Sequence, residues 1–226
     1  MGVMKRSGSM STRGIVHPAI GQQKFSLSRF EPGERLKPFV DHYWAVRYDL
    51  PPGTTHTQTV LSYPNVHLAF EHDERGRRAL VYGVPRKPFV RELRGTGWVL
   101  GVRFRAGGFY PFWGKSVAFL TGRTIDAASV FGPEATKWLH EVLDAGDDAA
   151  MALVAERALS VQLPQVDART ELAARIVARA MEDRTVTKVE LLAEASGLSV
   201  RGGFQIGPRP VAGRVPETRA GVKHCE

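Results

Sequence analysis

Two groups of residues in this chain have the types and spacing to do chemistry. The first lies between Thr185 and Arg201, in the string TVTKVELLAEASGLSVR. Thr187 and Glu190 are spaced as a capping box, in which each side chain satisfies an orphan amide at a helix start. Val189, Leu192 and Ala193 give that helix a short apolar face. Gly197 permits a turn with positive φ, Leu198 packs between two helices, and Ser199 caps the second. This is a helix-turn-helix layout, and its chemistry is hydrogen bonding to base edges and phosphates from the N-terminal end of the second helix. The candidate DNA contacts are Thr187, Ser199, Val200 and Arg201.

The second group is spread over the N-terminal half. A sensory pocket needs an aromatic lining with a few polar groups, and Trp44, Tyr48, Phe70, Tyr82, Arg103 and Phe104 are the candidate ligand-binding residues, with Trp98 beside them. Core packing is the competing fate of each aromatic. Arg103 has the strongest claim, because an inward-facing guanidinium needs an anionic partner.

Metal and catalytic chemistry find less support. His42, His56, His67 and His72 fall in the same region. On a strand, however, His67 and Glu71 would share a face with Cα atoms roughly 13 Å apart, and His67 and His72 would face opposite sides. No metal site or cofactor is expected. No Ser-His-Asp order stands out, and the lone cysteine, Cys225, is next to last. Gly107-Gly108 precedes helical sequence without the Lys-Ser/Thr of a phosphate-binding loop. The chain does not read as an enzyme.

The elements that must position these residues are legible from periodicity. From Phe25 to Phe104, short aromatic and β-branched runs alternate with turn signals such as Pro51-Pro52-Gly53 and Asp73-Glu74-Arg75-Gly76. The runs predict antiparallel strands at 42–48, 55–61, 65–71, 79–84, 89–93 and 98–104, enough for a barrel or sandwich. Beyond Gly108 the period turns helical. Short helices are expected at 109–113, 117–120 and 126–131, and longer ones at 133–143, 147–161 and 168–182, with Asp147 as a cap. Leu163-Pro164 marks a boundary near Gln165. The expected divisions are a basic extension at 1–24, a β-rich sensor with linker helices at 25–164, a helix-turn-helix at 165–201 and a tail at 202–226.

The net charge of +8 is a weak guide to partners. Residues 1–24 hold four cations and no acid, and residues 199–226 hold five against two, so seven of the eight charges lie at the two ends. No apolar run is long enough to span a bilayer and no secretory leader is recognisable, so a cytoplasmic protein is expected, without a membrane partner.

Three segments resemble the AraC/XylS family of bacterial transcription regulators, in the subgroup with a small β-barrel-like sensor domain. They are HYWAVRYDL at 42–50, YPNVHLAFE at 63–71 and GVRFRAGGF at 101–109, followed in order by the helix-turn-helix. The resemblance implies an α+β protein. An antiparallel, barrel- or cupin-like domain would sense a small-molecule or protein effector, linker helices would follow, and two tandem helix-turn-helix motifs would bind promoter DNA, with a homodimer possible.

The chain departs from that pattern after Arg201. Gly202-Gly203-Phe204-Gln205-Ile206-Gly207-Pro208-Arg209-Pro210 stands where a recognition helix would continue, and its glycines and prolines stop a helix. The remaining Arg, Gly, Pro, Ala and Val have GC-rich codons, as expected of a frameshift or truncation near codon 202. The sequence therefore predicts a partial helix-turn-helix with impaired DNA binding. The other expectation is a stand-alone ligand-binding or interaction module that no longer binds DNA specifically.

Overall fold

The computed structural model describes residues 24–60, 63–166, 168–183, 185 and 190. Seven strands come first: β1 (Ser26–Phe30), β2 (Val40–Asp49), β3 (Thr55–Val60), β4 (His67–Asp73), β5 (Gly76–Tyr82), β6 (Phe89–Arg94) and β7 (Thr96–Phe104). Helix α1 (Tyr110–Trp113) and a 3-10 turn (Val117–Leu120) lead to a short strand, β8 (Thr124–Asp126). The rest is helical: α2 (Ala128–Phe131), α3 (Glu134–Leu143), α4 (Asp148–Val161) and α5 (Ala168–Glu182).

The turn chemistry anticipated from the sequence closes the hairpins. Asp73 Oδ1 accepts from the Arg75 amide at 2.9 Å, and Gly76 takes φ 90° between β4 and β5. Asp147 caps α4 by accepting from the Ala150 amide at 2.8 Å. Asp126, expected inside a helix, instead ends β8, and its side chain accepts from the Ala128 amide at 2.7 Å as α2 begins.

Six strands form one antiparallel sheet in the order β1-β2-β7-β4-β5-β8, and β3 and β6 pair separately. The expectation of a closed barrel is corrected here: the large sheet is open, with β1 and β8 at its ends. Helices α3 and α4 instead pack on one face, and closure would require the end strands to meet across them. The sheet is an α+β platform.

Strand alternation gives the sheet two unlike faces. Towards the helices point Phe30, Tyr43, Ala45, Leu68, Phe70, Leu100, Val102 and Phe104, all buried with Trp138, Val142, Met151 and Leu159 in one core. Burying each large side chain there contributes on the order of 1.5–3 kcal/mol. Towards the other side point Trp44, Tyr48, His67, Glu71, Tyr82 and Arg103, and the β3–β6 pair meets this face. Phe89 packs edge-on against Tyr82 at 5.8 Å, and Leu93 clusters with Tyr48 and Leu50. Beyond the sheet, α5 is seated at its first turns. Thr170 is buried, and a Cβ on Gly107 would come within 2.7 Å of Ala173 Cβ. Among the described residues no helix is long and apolar enough to cross a membrane.

Candidate functional site

The face turned away from the helices carries two polar clusters. The first joins β4, β5 and β6. Glu71, only 4% exposed, accepts from Tyr82 Oη at 2.6 Å and from Arg91 Nη2 at 2.9 Å, and pairs with Arg78 Nη2 at 2.5 Å. Asp73 takes both terminal nitrogens of Arg78 at 2.7 Å and Arg91 at 2.9 Å. The hydrogen bond from Arg78 holds the Asp73 carboxyl at about 2, so it stays ionised. Burial, then the neighbouring Glu71 charge, pushes the Tyr82 phenol well up, keeping it a neutral donor. Two carboxylates face two guanidiniums with their hydrogen bonds made. This arrangement fastens the β3–β6 pair to the main sheet.

The second cluster lies at the other end of the same face, where His67 and His42 flank Arg103 in the register. Arg103 Nη2 donates to Asn65 Oδ1 at 3.1 Å, and Asn65 donates in turn to the Phe104 carbonyl at 2.6 Å. The ring of Tyr63 lies 4.6 Å from the guanidinium carbon. Asp41, at an irregularity in β2, reaches Arg103 Nε at 3.4 Å and His42 Nδ1 at 3.0 Å. The His42 bond and then the Arg103 charge hold the Asp41 carboxyl below its ordinary range, against burial.

Trp44 completes this end. Its indole lies flat across Gly101, where an added Cβ would come within 2.0 Å of the ring, so only glycine admits it. The indole Nε1 donates to His67 Nδ1 at 3.3 Å. Burial, reinforced by Arg103 and His42, pulls the His67 pKa down to about 3, so the imidazole is neutral. With Nδ1 accepting, its proton is assigned to Nε2.

Of the sequence-predicted ligand residues, the structure brings Trp44 and Arg103 to this end and Tyr82 to the salt-bridge cluster. Tyr48 lies over Gly97 in the small apolar cluster with Leu50 and Leu93. Phe70 and Phe104 need correction as pocket-lining candidates. Both are completely buried on the helix side and spend their rings on the core, where Phe104 meets Phe109 and Phe112 edge-on. Trp98 also faces the helices, stacked on His72 at 4.1 Å. Thr187, Ser199, Val200 and Arg201 lie outside the described residues.

Sequence reasoning missed Asp41, Tyr63, Asn65, Arg78 and Arg91, and considered His67 and Glu71 only as metal ligands. Strand parity carried part of the signal. Arg103 and Phe104 are adjacent on one strand and must face opposite ways, and Glu71 and Phe70 likewise.

A groove of about 840 Å³ runs along the last turns of α5, lined by Arg175, Ala178, Arg179, Glu182 and Asp183. Its mixed charges mark a polar surface remote from both clusters. No curated protein and no solved structure matches the chain. Residues 28–126, which run from within β1 to the end of β8 and hold both clusters, match a protein family described as a domain of unknown function, DUF6597.

Proposed function

We propose that this chain is a transcription regulator of AraC/XylS type, in which the β domain senses an effector and Thr187, Ser199, Val200 and Arg201 contact promoter DNA. The observation that carries the reading is an order along the chain. A β domain of a kind known from the N-terminal region of AraC-like regulators comes first, linker helices follow, and a capping-box helix-turn-helix sequence comes last. The polar face of the sheet supports the sensory half, because charged groups held half-buried on a rigid sheet are suited to recognising a ligand. No catalytic step is proposed.

Gly202 to Pro210 limits the DNA-binding half, since a recognition helix that stops there neutralises few phosphates. Binding is therefore weak, at roughly 10⁻⁴–10⁻⁶ M as for non-specific complexes. A gel-shift titration against DNA upstream of its own gene, at two salt concentrations, tests this. The expected outcome is weak retardation that is lost at higher salt and reduced by Arg201→Ala. Absence of retardation at low salt would refute the DNA-binding half. The same glycines and prolines favour the second reading, a sensor or interaction module that works without sequence-specific DNA binding.

A further inference from the structure

The two polar clusters differ in one respect that bears on the ligand. In the β4–β5–β6 cluster, Arg78 and Arg91 are matched by Glu71 and Asp73. At the other end, Arg29 and Arg103 share Asp41. Arg29 stands opposite Trp44 in the β1–β2 register. Burial, and then repulsion from Arg103, pulls the Arg29 pKa down, with Asp41 opposing. Arg103 is only 18% exposed in its side chain, yet among the described residues its five N–H groups make one hydrogen bond, to Asn65. Its Nε is buried without a hydrogen-bond partner, and the Asp41 oxygen at 3.4 Å contributes charge alone.

A half-buried pair of guanidiniums with one carboxylate between them carries a net positive charge, in a setting where charge is costly to leave uncompensated. The walls are flat and uncharged. Tyr63 lies against one face of the Arg103 guanidinium, and the half-exposed Trp44 indole is held level by Gly101 and His67. A planar fork beside an aromatic surface suits a ligand with a carboxylate at one edge and a flat, apolar body.

We infer that the Arg103 end of the sheet binds a small aromatic or similarly planar carboxylate, with the carboxylate on Arg103 and Arg29 and its ring against Trp44. This rests on the reading of the β domain as a sensor and specifies the chemistry of its effector.

The test is an NMR titration of the full chain with benzoate, following the Trp44 indole Nε1 and Arg103 Nε resonances, with benzamide and inorganic phosphate as comparisons. Benzoate should shift both signals saturably, and benzamide, which lacks the charge, should bind at least about tenfold more weakly. Arg103→Gln, with folding checked by circular dichroism, should weaken benzoate by about tenfold or more. Arg103→Lys, which keeps the charge but loses the fork, serves if that variant does not fold and should also weaken it. Equal binding of benzoate and benzamide, tighter binding of phosphate, no saturable shift with benzoate, or unchanged affinity in the folded Arg103 variant would each overturn the inference. None of these readouts involves DNA. A failed titration with an intact gel shift removes the carboxylate site alone, and the reverse pattern removes the regulator alone.

Discussion

Replacing Gly101 by alanine places a methyl group where the Trp44 indole now lies. The nearest ring atoms would be 2.0 and 2.2 Å away, about 1.5 Å short of an ordinary carbon contact near 3.5 Å. Gly101 is in β7, hydrogen-bonded on one side to β2 and on the other to β4, so the backbone has little room to yield and the indole must swing out. Overpacking of this kind costs about 1–3 kcal/mol. Losing the hydrogen bond from Trp44 to His67 adds roughly 1 kcal/mol. The total of about 2–4 kcal/mol corresponds to a fall in Tm of about 5–15 °C for a chain of this size. Thermal unfolding followed by circular dichroism measures it, and a red shift of the Trp44 fluorescence accompanies it. The decisive comparison is a double-mutant cycle with Trp44→Ala. In that background the alanine methyl meets open space, and Gly101→Ala should cost less than about 1 kcal/mol. An equal cost with and without the indole would refute the packing argument.

Three other outcomes are expected. Phe104→Ala empties a fully buried site and should cost about 3–5 kcal/mol; a small loss in chemical denaturation would place the ring on a binding surface instead. Glu71→Gln keeps the shape but leaves Arg78 and Arg91 with Asp73 as their remaining carboxylate partner, so unfolding should show a loss of about 3 kcal/mol or more, with faster amide exchange in the β3–β6 pair than in β7. His67 titrates at about 3 when folded against 6.5 as a free side chain. The unfolded chain therefore binds its proton first, and stability falls as pH drops from 6.5 towards 3, by up to about 1.4 kcal/mol per unit. Urea unfolding of His67→Gln should show a flatter pH dependence across that window, and an unchanged slope would mean that the ring is solvated.

The helices and most of the strands were legible because their signals are local. Asp147 precedes an apolar period and caps α4, and Asp73 to Gly76 has the composition of the hairpin turn it makes. Strand β8 was hidden because its three residues exist through pairing with β5, a partner some 45 positions away. The same distance dependence separates the sites. That Arg103 would need an acid could be argued from its own chemistry, but Asp41 and Asn65 as its neighbours depend on the register of β2 and on the loop before β4. Phe70 and Phe104 were misplaced for a simpler reason: their aromatic type was considered without the parity of their neighbours. The open sheet in place of a barrel follows from the helices, whose apolar faces require a sheet face to cover.

The alternation along β7 has a consequence for how such a domain changes over generations. Leu100, Val102 and Phe104 maintain the core, while Val99, Gly101 and Arg103 face the polar side. Selection for folding and selection for recognition thus fall on interleaved positions of the same segment. Drift at odd-numbered positions can retune what the domain recognises while the even-numbered ones hold the fold constant, so sequences that fold alike can differ in what they bind. Comparing lineages residue by residue along this strand should show two separate rates of substitution, with a period of two.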